Sequence, residues 1–220
     1  MSDLISIAGS AVAAYQRALS TVSNNIANLN TDGYTRQVAT FTESAPQATG
    51  NSIWLGTGAQ ITGVERMYSE FVESGLRNST SELATQTPVL EYANRVINVM
   101  GDAQASLVPA MDQFFASARA LSADPASTDM RGAFLRSADN MASRFRELSS
   151  QLGTVETDTR DAIASDVSKL NELASQLANV NAQLSRQQDV KKQAPDLLDQ
   201  RDKIMLDMSK LAGLKVTTKS

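Results

Sequence analysis

From Leu4 to Leu29 an apolar residue returns every three or four positions, and this repeat limits what the chain can fold into more than any other feature. Ile5, Val12, Leu19 and Ile26 recur at seven-residue intervals, with Ala8, Tyr15, Val22 and Leu29 between them. Residues three and four apart share a helix face, so these eight side chains form one seam over almost four heptads. Leu4, Ala11 and Ala18 flank the seam, while Asp3, Ser10, Gln16, Arg17, Ser20, Ser23 and Asn24 belong to the other side. An isolated helix of this length is marginal in water. With Gly9 and several alanines at or beside the seam, the segment is expected to need a partner before it is ordered.

The helix is expected to stop at Asn30-Thr31-Asp32-Gly33, a cluster of turn formers in which Gly33 can take positive φ. Residues 35–66 then read as an extended connector. Val38, Thr40, Phe41 and Thr42, and later Ala59–Thr62, favour strands, while Pro46, Gly50, Gly56, Gly58 and Gly63 punctuate them. Short β pieces in an irregular connector follow from that pattern, with a hairpin one arrangement it allows. Trp54 is expected to pack under this connector.

From Met67 to Leu211 the helical period returns as a bundle domain. Leu76, Leu83, Leu90 and Ile97 form a second seven-residue series, with Val72, Ala93 and Met100 on the same stripe, and Pro88 interrupts the helix without changing its register. A shorter helix carries Met111, Phe114, Phe115, Ala118 and Leu121, with the phenylalanines expected in the core. A third block, about Thr128 to Arg186, has its seam at Phe134, Ala138, Met141, Phe145, Leu148, Leu152 and Val155, continuing to Leu184. Steps of four near Gly153–Asp161 fit either a stutter in one long helix or a break into two. Asp196–Leu211 reads as a further helix, and Leu214–Thr218 as the start of a β-rich region, 212–220, in a truncated chain. The fold class is mainly α: long helices in a coiled-coil-like bundle, with an N-terminal heptad helix and a short extended connector.

The composition removes whole classes of chemistry. No Cys and no His are present, so there is no thiolate nucleophile, imidazole base or His-ligated zinc. A formal charge of −4 argues against nucleic acid, which needs concentrated positive charge. No segment suggests membrane insertion. No basic residue precedes Arg17, and the first apolar residues are spaced, so residues 1–17 do not read as a cleaved signal peptide. Gly56-Thr57-Gly58 is a turn, because it lacks the third glycine of a phosphate loop. Asp196, Asp199 and Asp202 lack the ligand spacing of a calcium loop. They read instead as a helix start, with Asp199–Lys203 as an i,i+4 pair. Glu91–Arg95 and Glu156–Arg160 read as solvated pairs of little individual worth.

The segment Asn24-Asn25-Ile26-Ala27-Asn28-Leu29-Asn30-Thr31-Asp32-Gly33-Tyr34, followed by Thr35-Arg36, resembles the N-terminal motif of the bacterial flagellar axial proteins, the rod, hook and hook-associated family. Many members have Pro where this chain has Asp32; both suit a turn. Gly56–Ala59 with Arg66-Met67-Tyr68, the helices beyond Met67, and Asp196-Leu197-Leu198-Asp199-Gln200-Arg201-Asp202 are similar to the hook-associated branch found at the hook–filament junction. The resemblance implies a non-enzymatic, cofactor-free structural subunit that polymerises in a helical array. Its implied partners are copies of itself, neighbouring hook and hook-associated subunits, and an export chaperone. Its implied location is the extracellular flagellum, reached by type III export without a cleaved signal. The resemblance also implies an assembly role for the seam Ile5, Ala8, Val12, Tyr15, Leu19, Val22, Ile26 and Leu29. Asn24, Asn25, Asn28, Asn30, Thr31, Gly33 and Tyr34 form its turn motif, and Asp196, Leu198, Asp199, Arg201 and Asp202 its later helix motif. A rod or hook protein, or a secreted helical effector or adaptor, are the alternative readings.

Overall fold

The computed structural model describes residues 2–48, 54–101, 106–187, 189 and 193–217; the side chains of 2, 3, 48, 54 and 55 lie outside that description. The expectation for Trp54 packing therefore falls outside the described residues, as does residue 218 of the expected last strand. The elements run α1 (Ser2–Ala27), β1 (Gln37–Glu43), β2 (Gln47–Ala48), β3 (Trp54–Leu55), β4 (Ala59–Arg66), α2 (Glu70–Gly101), α3 (Leu107–Ala123), α4 (Thr128–Leu184) and α5 (Pro195–Ser209). The chain is mainly α, as the periodicity implies. Two compact units divide it: Met1–Ser81 with Asn171–Ser220, and Glu82–Leu170.

In the first unit the connector folds back as a two-stranded antiparallel ribbon. β1 pairs with β4 from Gln37↔Arg66 to Glu43↔Ala59, with an irregularity at Thr40/Phe41, where Thr40 pairs Gly63 and Phe41 pairs Ile61. β2 and β3 pair between them. The inward positions of β4 are Ala59, Ile61, Val64 and Arg66, and Gln60, Thr62 and Glu65 face out. α1 lies along this ribbon. Gly58 meets it at Ser10, Phe41 at Tyr15 (ring centroids 5.8 Å apart) and Gln37 at Asn25. The fifteen steps from Ser10 to Asn25 span about 22 Å of helix, close to the length of a seven-residue strand.

A partner inside the chain is a departure from the sequence expectation, and its reason lies in which face is covered. The ribbon covers Ile7, Ser10, Ala11, Ala14, Ala18, Thr21, Asn25 and Asn28, a face of mostly small residues that permits close approach. Ser10, expected on the solvent side, packs against Gly58. The seam itself stays outside. At the other end of the unit, Val180, Leu184 and Ile204 are buried together, and Leu173, Leu177, Leu197, Leu198 and Met208 pack on them. This joins the end of α4 to α5. Pro195 at the start of α5 has a preset φ and lacks an N–H that the first turn leaves unpaired. Residues 214–217 form no strand.

In the second unit α4 runs unbroken through Gly153, which resolves the stutter in favour of one 57-residue helix. Ser127 Oγ accepts from Met130 N (3.3 Å) as its N-cap. Phe114 of α3 meets Phe134 of α4 with centroids 5.2 Å apart. Phe115, expected in the core, is half exposed. The α2 stripe needs the same correction: Leu76, Leu83, Leu90, Ile97 and Met100 are all exposed. The covered side of α2 carries Arg77, Ser81, Ala84, Tyr92, Val96 and Val99, on the face of the helix opposite that stripe.

Gly58 has φ +102°, and an added Cβ would stand 2.5 Å from Ser10 Oγ, which is itself held by a bond to Ile7 O. Gly58→Ala should therefore destabilise the first unit by about 1–3 kcal/mol through backbone strain and the displaced helix. Hydrogen exchange should show the loss first in α1 and β4.

Candidate assembly surface and the junction that orients it

The Asn-rich turn is held by side chains that close on one another and on the ribbon. Asn28 N bonds Asn24 O (3.0 Å), and the Asn28 Nδ2 donates to Asn24 O (3.0 Å) and Oδ1 (2.9 Å). Thr31 Oγ1 donates to Asn28 Oδ1 (3.2 Å). Asn25 does most to fix the ribbon. Its Oδ1 accepts from Tyr34 OH (2.8 Å) and Gln37 N (2.8 Å), and its Nδ2 donates to Gln37 O (2.8 Å). One amide thus satisfies both main-chain groups of Gln37, a buried residue at the start of β1. Asn30 is exposed in the turn, and Gly33 takes φ +81° beside the Lys203 side chain.

The later helix motif meets this turn directly. Asp196, Asp199 and Asp202 follow at intervals of three along α5, and between them they bond Thr35, Gln37 and Arg66. Asp196 Oδ1 accepts from Gln37 Nε2 (3.4 Å), and Asp199 Oδ2 from Thr35 N (3.1 Å). Arg66 Nη1 reaches Asp199 Oδ1 (2.6 Å) and Asp202 Oδ2 (2.9 Å), with all three side chains nearly buried. Arg66 also lies over the Tyr68 ring, and Arg201 joins Asp202 at 3.1 Å. The expected Asp199–Lys203 pair gives way to these partners: Lys203 Nζ instead bonds Asp32 Oδ2 (2.6 Å). A guanidinium between two carboxylates is the better-matched pairing for a buried site, and Lys keeps its strongly hydrated ammonium at the rim. Leu198 packs on the Val180–Leu184–Ile204 core. Among the described residues no acidic cluster is arranged to hold a metal.

The electrostatics follow from these contacts. Burial first, then the Asp199 and Asp196 carboxylates, push the Tyr34 hydroxyl up, so it remains a donor to Asn25. The hydrogen bond and charge of Lys203 hold Asp32 below the usual carboxylate value, and Asp32 raises Lys203 in turn.

The seam of α1 points away from this junction. Ile5, Tyr15, Ile26 and Leu29 are 74%, 70%, 70% and 79% exposed, and Val12, Leu19, Val22 and Ala8 are also exposed. Phe41 of β1, half exposed against Tyr15, extends the same apolar surface onto the ribbon. Sequence reading names the seam and both motifs, takes Phe41 only as a strand former and Arg66 only as part of the connector motif, and does not single out Gln37. Gln37 and Arg66 are paired in the ribbon and bond α5 residues more than 130 positions later, a link no local spacing signals.

Residues 93–220 match the family described as flagellar hook-associated protein FlgK helical domain, and residues 5–35 match that described as flagella basal body rod protein. The flagellar hook-associated protein 1 of Salmonella typhimurium (strain LT2) is 35% identical over 219 residues, covering 99% of this chain and 39% of its own length. That of Escherichia coli (strain K12) is 32% identical over 219 residues, covering 99% of this chain and 40% of its own. That of Bacillus subtilis (strain 168) is 31% identical over 216 residues, covering 94% and 42%. The chain spans about two fifths of the length of these relatives.

Two changes probe the junction. Arg66→Met leaves Asp199 and Asp202 buried beside one cation fewer, and should cost about 3–5 kcal/mol in denaturant unfolding. Asn25→Ala strands both main-chain groups of Gln37 and should cost about 2–3 kcal/mol. The Asp32–Lys203 pair has a different signature, in pH. Its contribution is present above the ordinary Asp value and is lost as pH falls through the depressed Asp32 pKa. At the basic end it is present below the ordinary Lys value and is lost as pH rises through the raised Lys203 pKa. Lys203→Gln should lower the thermal midpoint slightly between those limits and not outside them. High salt should erase the difference, because both groups are solvated.

Proposed function

The chain belongs to the flagellar hook-associated protein FlgK helical-domain family, and on that premise we propose that it is a structural subunit which polymerises at the hook–filament junction of the bacterial flagellum. Its work is packing rather than catalysis. Its partners are further copies of itself in a helical array, neighbouring hook and hook-associated subunits, and an export chaperone before assembly. It works outside the cell, after type III export without a cleaved signal peptide.

The observation that carries this reading is the uncovered seam of α1. Seven large apolar side chains, Ile5, Val12, Tyr15, Leu19, Val22, Ile26 and Leu29, are each at least half exposed in one line. Burying the exposed part of each is worth about 1–2 kcal/mol, or roughly 7–14 kcal/mol in all. The loss of free motion on association costs about 4–15 kcal/mol. One seam contact therefore sits near break-even. Contacts with several neighbours tip the balance, which favours a subunit ordered and held within an array over one that forms tight pairs. A heterologous contact whose rotation does not close on itself propagates into an open helix, the arrangement proposed for the seam.

A rod or hook protein shares the first motif, as the match over residues 5–35 illustrates. The match of the later helices to a hook-associated domain favours the junction subunit. A secreted effector or adaptor would account for the helices but not for the two motifs meeting at one junction.

Because Val22 and Ile26 face away from the ribbon, a charge there leaves the fold intact and places a carboxylate in the assembly seam. Val22→Asp or Ile26→Asp, introduced into the complete protein in its own bacterium, should abolish motility and leave hooks without filaments. The purified chain should keep its helical circular dichroism and thermal midpoint. Motile cells with normal filaments would show that the seam is not the assembly surface.

A further inference from the structure

The first unit contains a second feature that the assembly reading does not use. The start of α2, the end of α4, α5 and the segment after it enclose a cavity of about 410 Å³. Three cations line it, Arg77, Arg201 and Lys215, against one carboxylate, Glu70. The whole chain is acidic, at −4, so the sign is locally reversed. Arg77 is only 7% exposed, and its Nη1 has no hydrogen-bond partner among the described residues. The buried α5 carboxylates are committed elsewhere: Asp199 and Asp202 hold Arg66, and Asp202 also holds Arg201. One helical turn after Arg77, Ser81 Oγ donates to Ala212 O (3.2 Å) and accepts from Leu214 N (3.1 Å). Ser81 thereby pins the segment that brings Lys215 to the cavity. Leu177, Met205 and Met208 supply an apolar wall, and thioether side chains adapt readily to an incoming group.

A buried cationic donor without an acceptor is costly, and the cost is removed by an anion that reaches it. We propose that this cavity binds a carboxylate on an apolar stem, presented by an acidic protein segment in which a Glu stands between leucine-like residues. A carboxylate brings two acceptor oxygens that match the guanidinium fork, and its charge answers Lys215 and Arg77 together. A neutral carbonyl does neither. The apolar wall takes the stem and its neighbours. The proposal is independent of the seam of α1 and stands or falls without it.

The test is calorimetric titration of the chain with acetyl-Leu-Glu-Leu-amide, its Gln counterpart, and decanoate. The Glu peptide should bind saturably, and the Gln peptide at least tenfold more weakly. Arg77→Leu should weaken the Glu peptide at least tenfold. Lys215→Ala, on an exposed residue, should weaken it about threefold, and more at low salt than at high salt. If Arg77→Leu does not fold, the Lys215→Ala and Lys215→Glu variants carry the same comparison, with Glu the weaker binder. Equal binding of the Glu and Gln peptides, no binding of either, or indifference to both variants would overturn the site. Binding of decanoate alone would overturn the protein segment as its ligand.

Discussion

A guanidinium held between two carboxylates, Arg66 against Asp199 and Asp202, ties the last residue of the ribbon to the middle of α5. Its partners bring in the rest of the junction. Asp199 also takes the main-chain N–H of Thr35, and Gln37, which pairs with Arg66 across the ribbon, reaches Asp196. Asn25 then clamps Gln37 to α1. The direction in which α1 leaves α5 is therefore set by a short polar relay with few loose members. Buried ion pairs contribute little net stability, because desolvation offsets their attraction. Their value here lies in specificity: other arrangements of ribbon and helix leave a buried charge unpaired.

In the proposed subunit the same helix is fixed on one side and adhesive on another, and its sequence separates the two. The covered side, with Ala11, Ala14, Ala18 and Asn25, is small enough for close approach to the ribbon and polar enough to be clamped. Large residues there would hold α1 farther from β1 and break the Asn25 bonds. The large residues sit about 100° away, one position on, where they stay available to other molecules. Tyr15 lies at the border between the two sides, and Phe41 packs on it from the ribbon.

Periodicity made this surface legible, but only in part. A 3.5-residue repeat says that a helix has an apolar seam; it does not say whether the chain itself supplies the cover. For α4 it does in part: Phe134, Met141, Leu148, Leu152 and Leu177 are at least partly covered, while Phe145, Ile163 and Val167 of the same seam are half exposed. For α1 and α2 it does not, because α1 packs through its small residues and α2 through Arg77, Ser81 and Val96. The turn at Gly33 and the ribbon strands were readable from local chemistry. The Lys203 pairing was misread because an i,i+4 rule knows only the helix it is applied to, and the competing Arg66 comes from another element. Resemblance brought the turn motif and the α5 motif into one family; only the fold shows that they touch.

Among the described residues the buried hydrophobic ones are four, Ala14, Val180, Leu184 and Ile204. The exposed apolar residues include two seven-residue series on separate helices. A chain that folded only for itself would bury such residues, because each exposed leucine or isoleucine forgoes on the order of 1–2 kcal/mol. Here the uncovered residues are in register along their helices, so they can be covered together by another helix but not one at a time. The polar junction supplies the complementary requirement, since a seam is useful for assembly only if every copy presents it at the same angle. In the proposed assembly role, rigid aim from Arg66 and Asn25 and adhesion from the line Ile5 to Leu29 are two halves of one device.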